Sequence, residues 1–146
     1  MKKQYGPIKR FQMLFWLLRT KIIWRHARLI RFPLDLRGKR YIDPGRKLTT
    51  GTGCRLEAYS SGPRVLHFGR SVQMNDYVHI CAMQAINIGD HVLIASKVYI
   101  SDNSHGRYDC SEANSDPETL PLDRPYHIQP VSIGDKTWIG DNVSIL

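Results

Sequence analysis

The chain has few of the features that mark extracellular, metal-stabilised or membrane-spanning proteins. Its three cysteines, Cys54, Cys81 and Cys110, are odd in number and lack CxxC spacing. They predict neither a disulfide framework nor a zinc site, and they favour a reducing, cytoplasmic compartment. The longest strongly apolar run, residues 13–18, lacks a small-residue cleavage site and is far below the roughly 20 residues that span a bilayer. We therefore expect neither a secretory signal nor a transmembrane helix.

Acidic residues are scarce at the N-terminal end of the chain. Among 146 residues, 21 Lys and Arg against 13 Asp and Glu give a net charge of +8, and the excess lies within the first 55 residues. Such an excess suits an anionic partner such as a nucleotide cofactor, a membrane surface or nucleic acid. We do not expect nucleic acid, because the basic residues do not alternate with aromatic residues over one face of the folded domain.

Residues 1–35 are predicted to form a basic amphipathic helix, or a pair of helices, that ends at Pro33. Apolar residues recur there at helical spacing between arginines and lysines: Phe11, Leu14, Phe15, Leu18, Ile22 and Ile23. Trp16 and Trp24 are residues of the type found at lipid headgroups. Residues 10–31 are therefore expected either to bind the inner face of the cytoplasmic membrane or to pack on the domain or on a neighbouring subunit.

From about Ile42 onward, the apolar residues return every six positions. The clearest copies read IGDHVL (88–93), IASKVY (94–99), IGDKTW (133–138) and IGDNVS (139–144). An aliphatic residue stands first, a small or β-branched residue often stands fifth, and Gly, Asp or Asn often fills the second and third places. This period fits neither a helix nor a simple strand. It predicts that residues 36–146 wind into a parallel β-helix of 18-residue turns, with corners relieved at the Gly-Asp pairs.

One long insertion interrupts the repeats. The step from Ile88 to Ile133 is one 18-residue turn plus about 27 further residues, which we place in a loop at about 102–130. That segment is rich in Asp, Ser, Asn and Pro, as a surface excursion should be. A loop of this length in a compact domain is usually functional or disordered.

The stretch from Ile88 to Gly106, IGDHVLIASKVYISDNSHG, resembles the bacterial hexapeptide-repeat acetyltransferases. The resemblance is strongest to the branch that O-acetylates O-antigen and other cell-surface polysaccharides, and weaker to the galactoside, maltose and xenobiotic acetyltransferases. It implies an all-β, left-handed parallel β-helix with an N-terminal α-helical segment and a protruding loop. It also implies a homotrimer that uses acetyl-CoA as cosubstrate, needs no metal and acts on a polysaccharide or its sugar precursor.

The resemblance assigns the catalytic role to His105, at the start of the loop. In the family this histidine is the general base, and an imidazole can accept the proton of a sugar hydroxyl at neutral pH. The hydroxyl then attacks the thioester directly, without an acyl-enzyme. Three residues are expected to contact the acceptor: Asn75, His79 and Asn103. Three are expected at the coenzyme A channel, where a backbone N–H would stabilise the oxyanion: Trp138, Gly140 and Asp141.

Several alternatives stay open. An antibiotic acetyltransferase would share the loop and the base. A zinc-binding relative would need three converging histidines. Here the close pairs are twelve residues apart, on different faces, and would converge only if subunits contribute jointly. Cys81 beside His79 has no third group to activate it as a nucleophile. The chain stops at Leu146 within a repeat, from which we expect a truncated form or a fragment, with a catalytically weak assembly protein as the remaining alternative.

Overall fold

The computed structural model describes residues 6–108 and 115–146; Cys110 lies outside them. Within these ranges the protein is mostly β, with one α-helix, α1 (Pro7–Ile23), and a 3-10 turn at Lys39–Tyr41. The strands are β1 (Leu34–Arg37), β2 (Ile42–Asp43), β3 (Cys54–Ala58), β4 (Leu66–Phe68), β5 (Gln73–Met74), β6 (His79–Ala82), β7 (Ile86–Ile88), β8 (Leu93–Ile94), β9 (Tyr99–Ser101), β10 (Asn103–His105), β11 (Tyr126–Ile128), β12 (Val131–Ile133), β13 (Trp138–Ile139) and β14 (Ser144–Ile145).

All strands except β10 and β11 belong to three parallel sheets, which most of the chain visits in a fixed order. Sheet A holds β5, β8 and β13; sheet B holds β1, β3, β6, β9 and β14; sheet C holds β2, β4, β7 and β12. From β4 to β9, and again from β12 to β14, the chain passes from sheet C to sheet A to sheet B. Each passage stacks in register on the previous one, with Ile80 beside Ile100 and Ile94 beside Ile139. The prediction of a mostly β protein with parallel sheets is confirmed.

The stacked turns of sheets A, B and C are called the coil below. Its core is a set of aliphatic columns that run through the turns. On sheet B, one column consists of Leu36, Leu56, Ile80, Ile100 and Ile145, and its three middle members have no solvent contact. Burial of such side chains stabilises the fold by roughly 1.5–3 kcal/mol each. Because alternate residues of a strand point to opposite faces, the polar neighbours of this column lie on the outer face of sheet B.

The corners differ from the prediction in one respect. The left-handed conformation is adopted at the fourth place of each unit, not at the Gly-Asp pair: φ is 58–60° at Ser71, Tyr77, His91, Lys97, Lys136 and Asn142. The glycine serves another purpose, since a Cβ on Gly69 or Gly89 would overlap the next turn. The aspartate caps the neighbouring turn: Asp135 Oδ1 accepts a hydrogen bond from the backbone N–H of Asp90 at 2.7 Å.

From residue 6 onward, the described part of the N-terminal segment contains a single helix. It begins after Gly6 with Pro7 in its first turn, a position where the missing N–H of proline costs nothing. The helix is held to the coil by Trp16 and Thr20, both buried, and the following Trp24 is buried as well. Thr20 accepts a hydrogen bond from the N–H of Ile30 at 2.8 Å. The two tryptophans therefore attach the segment to the coil, as the packing alternative expects.

The long insertion leaves the coil after β9 and returns at β12. Its base is an antiparallel ribbon in which β10 pairs with β11, so that Ser104 lies beside His127 and His105 beside Tyr126. Residues 109–114 lie outside the described part. Among the described residues, no helix has the length and apolarity that crossing a bilayer requires.

Candidate functional site

The ribbon of the insertion and the outer face of sheet B enclose an open groove of about 670 Å³. Sheet B contributes Glu57, His79 and Tyr99, and the ribbon contributes Asn103, His105 and Tyr126. The sheet side follows from strand alternation, because His79 lies outward in register with Tyr99. Three of the residues assigned from the sequence, His79, Asn103 and His105, therefore line one groove.

His105 is the exposed imidazole at the end of β10. Its ring lies 4.5 Å from that of Tyr126, centroid to centroid, and is tilted by 44° to it. The neighbouring backbone is held by Tyr108, whose hydroxyl donates a hydrogen bond to the carbonyl of His105 at 2.8 Å. Within the described residues the imidazole has no carboxylate partner, so its orientation depends on ring packing and on the ribbon.

His79, by contrast, is fixed by a buried carboxylate. Its Nε2 lies 2.7 Å from Oε2 of Glu57, whose side chain is 6% exposed. Because an ionised carboxylate can only accept hydrogen bonds, Nε2 carries the proton, and Nδ1 is the acceptor in the neutral imidazole. The His79 ring also lies 5.0 Å from that of Tyr99.

Glu57 is the centre of a charged cluster on the outer face of sheet B. Its Oε1 lies 2.9 Å from Nη1 of Arg37 and 3.1 Å from Nη2 of Arg55, and it accepts a hydrogen bond from the hydroxyl of Tyr59 at 2.9 Å. Burial would raise the pKa of Glu57, but the hydrogen bonds from His79 and Tyr59 and the charge of Arg55 outweigh it, so that the pKa is lowered. The carboxylate is therefore ionised at neutral pH.

Asp102 fastens the ribbon to the coil. Its buried carboxylate accepts backbone N–H hydrogen bonds from Met83, Gln84 and Ala85 at 2.7–2.8 Å. The side-chain amide of Asn103 donates to Asp102 Oδ1 at 3.0 Å and to the carbonyl of Cys81 at 3.3 Å. The amide hydrogens of Asn103 are thus engaged within the protein, and its contact with an acceptor stays a prediction.

Cys81 lies in the same groove, but its chemistry is not that of an activated nucleophile. Burial raises the pKa of its thiol, and the hydrogen bond from Asn103 only partly offsets this. A thiol with a raised pKa is mostly protonated at neutral pH and is a poor nucleophile. Metal binding is a separate question: in the described residues, no cluster of three or more His, Cys, Asp or Glu is suited to hold a metal ion.

The other assigned residues lie outside this groove. Asn75 is exposed at the corner between sheets A and B, where it lines a smaller cavity beneath α1 with Trp16 and Arg31. On the same edge, Asp141 Oδ1 accepts a hydrogen bond from the N–H of Ser96 at 2.7 Å, and Gly140 precedes it. Trp138, 74% exposed, lies on the outer face of sheet A. One chain thus does not bring these four residues to His105, and their roles stay predictions.

Sequence reasoning missed Glu57, Tyr59 and the two arginines. The signals for them were the alternations in Leu34-Asp35-Leu36-Arg37 and Arg55-Leu56-Glu57, which mark outward polar residues beside inward leucines. Nothing in the sequence linked Glu57 to His79, because the two residues are 22 positions apart and meet through the register of β3 with β6.

Comparison with known proteins gives one informative match. The chain is 39% identical over 144 residues to the Escherichia coli (strain K12) protein named "Putative lipopolysaccharide biosynthesis O-acetyl transferase WbbJ". The alignment covers 99% of this chain and 72% of that protein. No protein-family profile matches the chain, and no solved structure matches it.

Proposed function

The chain belongs to the O-antigen branch of the bacterial hexapeptide-repeat acetyltransferases, and from this premise we propose that it moves an acetyl group from acetyl-CoA to a hydroxyl of a cell-surface polysaccharide or its sugar precursor. The observation that carries the proposal is the position of His105 in a groove with a second imidazole and several tyrosines. The left hand of the coil, which the family has, is part of the same proposal.

In the proposed reaction, His105 acts as the general base. The imidazole takes the proton of the attacking sugar hydroxyl while its oxygen forms a bond to the thioester carbonyl carbon. The tetrahedral intermediate then collapses, the carbon–sulfur bond breaks, and the coenzyme A sulfur leaves with the proton from the imidazolium. An N–H near Gly140 and Asp141 would stabilise the oxyanion.

The groove offers an acceptor sugar both stacking surfaces and polar groups. Three tyrosines line it, Tyr59, Tyr99 and Tyr126, and aromatic rings present broad apolar faces with a polar edge. We assign His79 to acceptor contact through Nδ1, and Glu57 to positioning it. We assign Asn103 to acceptor contact from the ribbon side of the groove. The relative's role in lipopolysaccharide biosynthesis supports a cell-surface glycan as the acceptor class.

The distribution of the remaining residues supports a homotrimer. Asn75, Gly140 and Asp141 lie on an edge of the coil, and Trp138 lies on a face other than that of His105. A symmetric oligomer can bring such surfaces of neighbouring chains together around each groove. In that arrangement Trp138 beside Leu93, both exposed on sheet A, would provide the apolar wall for the pantetheine arm of the coenzyme A substrate.

The test is release of coenzyme A from acetyl-CoA in the presence of polysaccharide repeat units. We expect His105→Ala to lower kcat about 100-fold or more, because a general base contributes that much. His127→Ala is the matched control, since it removes an imidazole from the facing strand of the same ribbon. Turnover by His105→Ala at the wild-type rate would show that the mechanism is wrong.

A further inference from the structure

One face of α1 is apolar and points away from the protein. Its residues are spaced three and four apart, as on one side of a helix, and all are at least half exposed: Ile8, Phe11, Phe15, Leu18 and Ile22. Leu14, also more than half exposed, widens the stripe. A row of large apolar side chains in water is unfavourable and marks an interaction site.

The orientation of this face is fixed by the coil. Trp16 and Thr20, on another side of the helix, are buried at 5% and 0% exposure. Thr20 Oγ1 donates a hydrogen bond to the carbonyl of Trp16 at 2.7 Å and accepts one from the N–H of Ile30. The guanidinium of Arg19 lies 3.9 Å from the ring of Phe32. These contacts hold the helix against the coil, so the stripe cannot turn inward without breaking them.

The surroundings of the stripe are cationic. Residues 6–34 contain seven Lys and Arg and no Asp or Glu, whereas residues 35–146 contain 12 Lys and Arg and 13 Asp and Glu. Beyond the C-terminal end of α1, an open cavity of about 670 Å³ is lined by Arg25, Lys39, Arg40 and Arg64, with Asp43 as its acidic residue. The cationic surface thus continues from the helix to the first turn of the coil.

We propose that the exposed face of α1 lies in the interfacial region of an anionic lipid bilayer, with Arg25 and Lys39 against the headgroups. An apolar stripe bordered by cations is the pattern of helices that bind in the plane of a membrane, and the cations attract acidic phospholipids. A second copy of the chain is the less suitable partner, because the same face would bring an equally cationic helix against it. The proposal is independent of the acetyl transfer reaction.

The first experiment is co-sedimentation of the full chain with vesicles of phosphatidylcholine alone, or of equal parts phosphatidylcholine and phosphatidylglycerol. We expect the protein to bind only the vesicles that contain phosphatidylglycerol, and this binding should weaken as the salt concentration is raised. Leu18→Ser with Ile22→Ser should weaken binding about 10-fold. The matched control is Leu120→Ser with Leu122→Ser, which removes similarly exposed apolar side chains from the insertion.

A second pair of variants tests the headgroup contact. Arg25→Gln with Lys39→Gln should weaken vesicle binding about 10-fold, whereas Lys97→Gln with Lys136→Gln, which removes the same charge from other turns of the coil, should leave it unchanged. Circular dichroism checks that each variant is folded. The proposal would be overturned if the wild-type protein did not bind the anionic vesicles, or if the test and control pairs lost binding equally. It would also be overturned if the wild-type protein did not bind vesicles and the Leu18 and Ile22 substitutions changed its oligomeric state.

Discussion

The two sides of the groove hold their imidazoles in opposite ways. On the strand side, His79 is tied to a buried carboxylate that two arginines and a tyrosine also contact. On the ribbon side, His105 is exposed and packs against Tyr126. The coil thus fixes one group with charge and register, whereas the other is placed by a two-stranded ribbon, an element that is marginally stable by itself.

This difference suits the two proposed roles. An acceptor contact gains from rigidity, because a fixed partner loses less entropy when the sugar binds. A general base must take a proton in one step and release it in the next, and an imidazole exposed in the groove can exchange that proton directly with a bound substrate. The comparison predicts that substitutions will have effects of different size at three places: at Asp102, the joint that fastens the ribbon to the coil, on the strand side, and on the ribbon side.

The largest effect is expected at the joint between the two sides. Asp102→Ala removes the acceptor of three backbone N–H groups and of the Asn103 amide. We expect the free energy of unfolding to fall by about 3 kcal/mol, because buried donors are left unpaired, and kcat to fall because the ribbon loses its attachment. Chemical denaturation and the coenzyme A release assay measure the two effects.

Asp116→Ala provides the control for Asp102→Ala. Asp116 lies on the same insertion, is exposed, and its carboxylate accepts a hydrogen bond from the N–H of Glu118 at 2.9 Å, so its loss should change stability by less than about 0.5 kcal/mol. Equal stability of the two variants would mean that the ribbon does not depend on Asp102.

On the strand side, Glu57→Gln should have an intermediate effect that depends on pH. The lowered pKa of Glu57 stabilises the folded state at pH values above its unfolded value of about 4.3. That contribution is lost as the pH falls through the folded pKa. At neutral pH we expect the variant to be less stable by about 1 kcal/mol, a modest value because both arginines are more than a third exposed.

Denaturation of wild type and Glu57→Gln over a pH series checks this sign: the difference in unfolding free energy should be present at pH 7 and shrink on acidification. Glu118→Gln, on an exposed glutamate, should show neither effect. A positioning role for Glu57 further predicts that the pH profile of kcat/KM changes in the Glu57 variant alone. A stability difference that grows toward low pH would contradict the assignment.

The sequence predicts the repeated turns of the coil better than it predicts the contacts made across the groove. The coil was predictable because each turn repeats a local rule: aliphatic residues at fixed places, short strands and tight corners. His79, Asn103 and His105 could be assigned together because the insertion begins close to two of them in the sequence. Asn103 and His105 meet in one groove because both lie on β10, whereas His79 joins them through the register of β6 with β9.

The parts that could not be predicted depend on long-range packing. The contact of Glu57 with His79 is set by the register of two strands, and no short motif encodes it. The apolar residues of α1 surround much of the helix, so the pattern could not tell that Trp16 packs on the coil while Phe15 faces water. Likewise, the Gly-Asp pairs predicted the corners but not that the next residue takes the left-handed conformation.

The smallest effect is expected on the ribbon side, at Tyr126. Replacing it by Leu removes the ring that packs against His105 at 4.5 Å but leaves the backbone pairing of β10 with β11 intact. Because Tyr126 is about half exposed, the free energy of unfolding should fall by only about 0.5 kcal/mol, the lower end of what an aromatic pair contributes. The loss of an aromatic contact worth about 0.5–1 kcal/mol should lower kcat about 2- to 5-fold through a less well oriented imidazole. Tyr126→Phe keeps the ring and should retain the wild-type kcat; if it falls as far as the leucine variant, the hydroxyl rather than the ring contact supports His105.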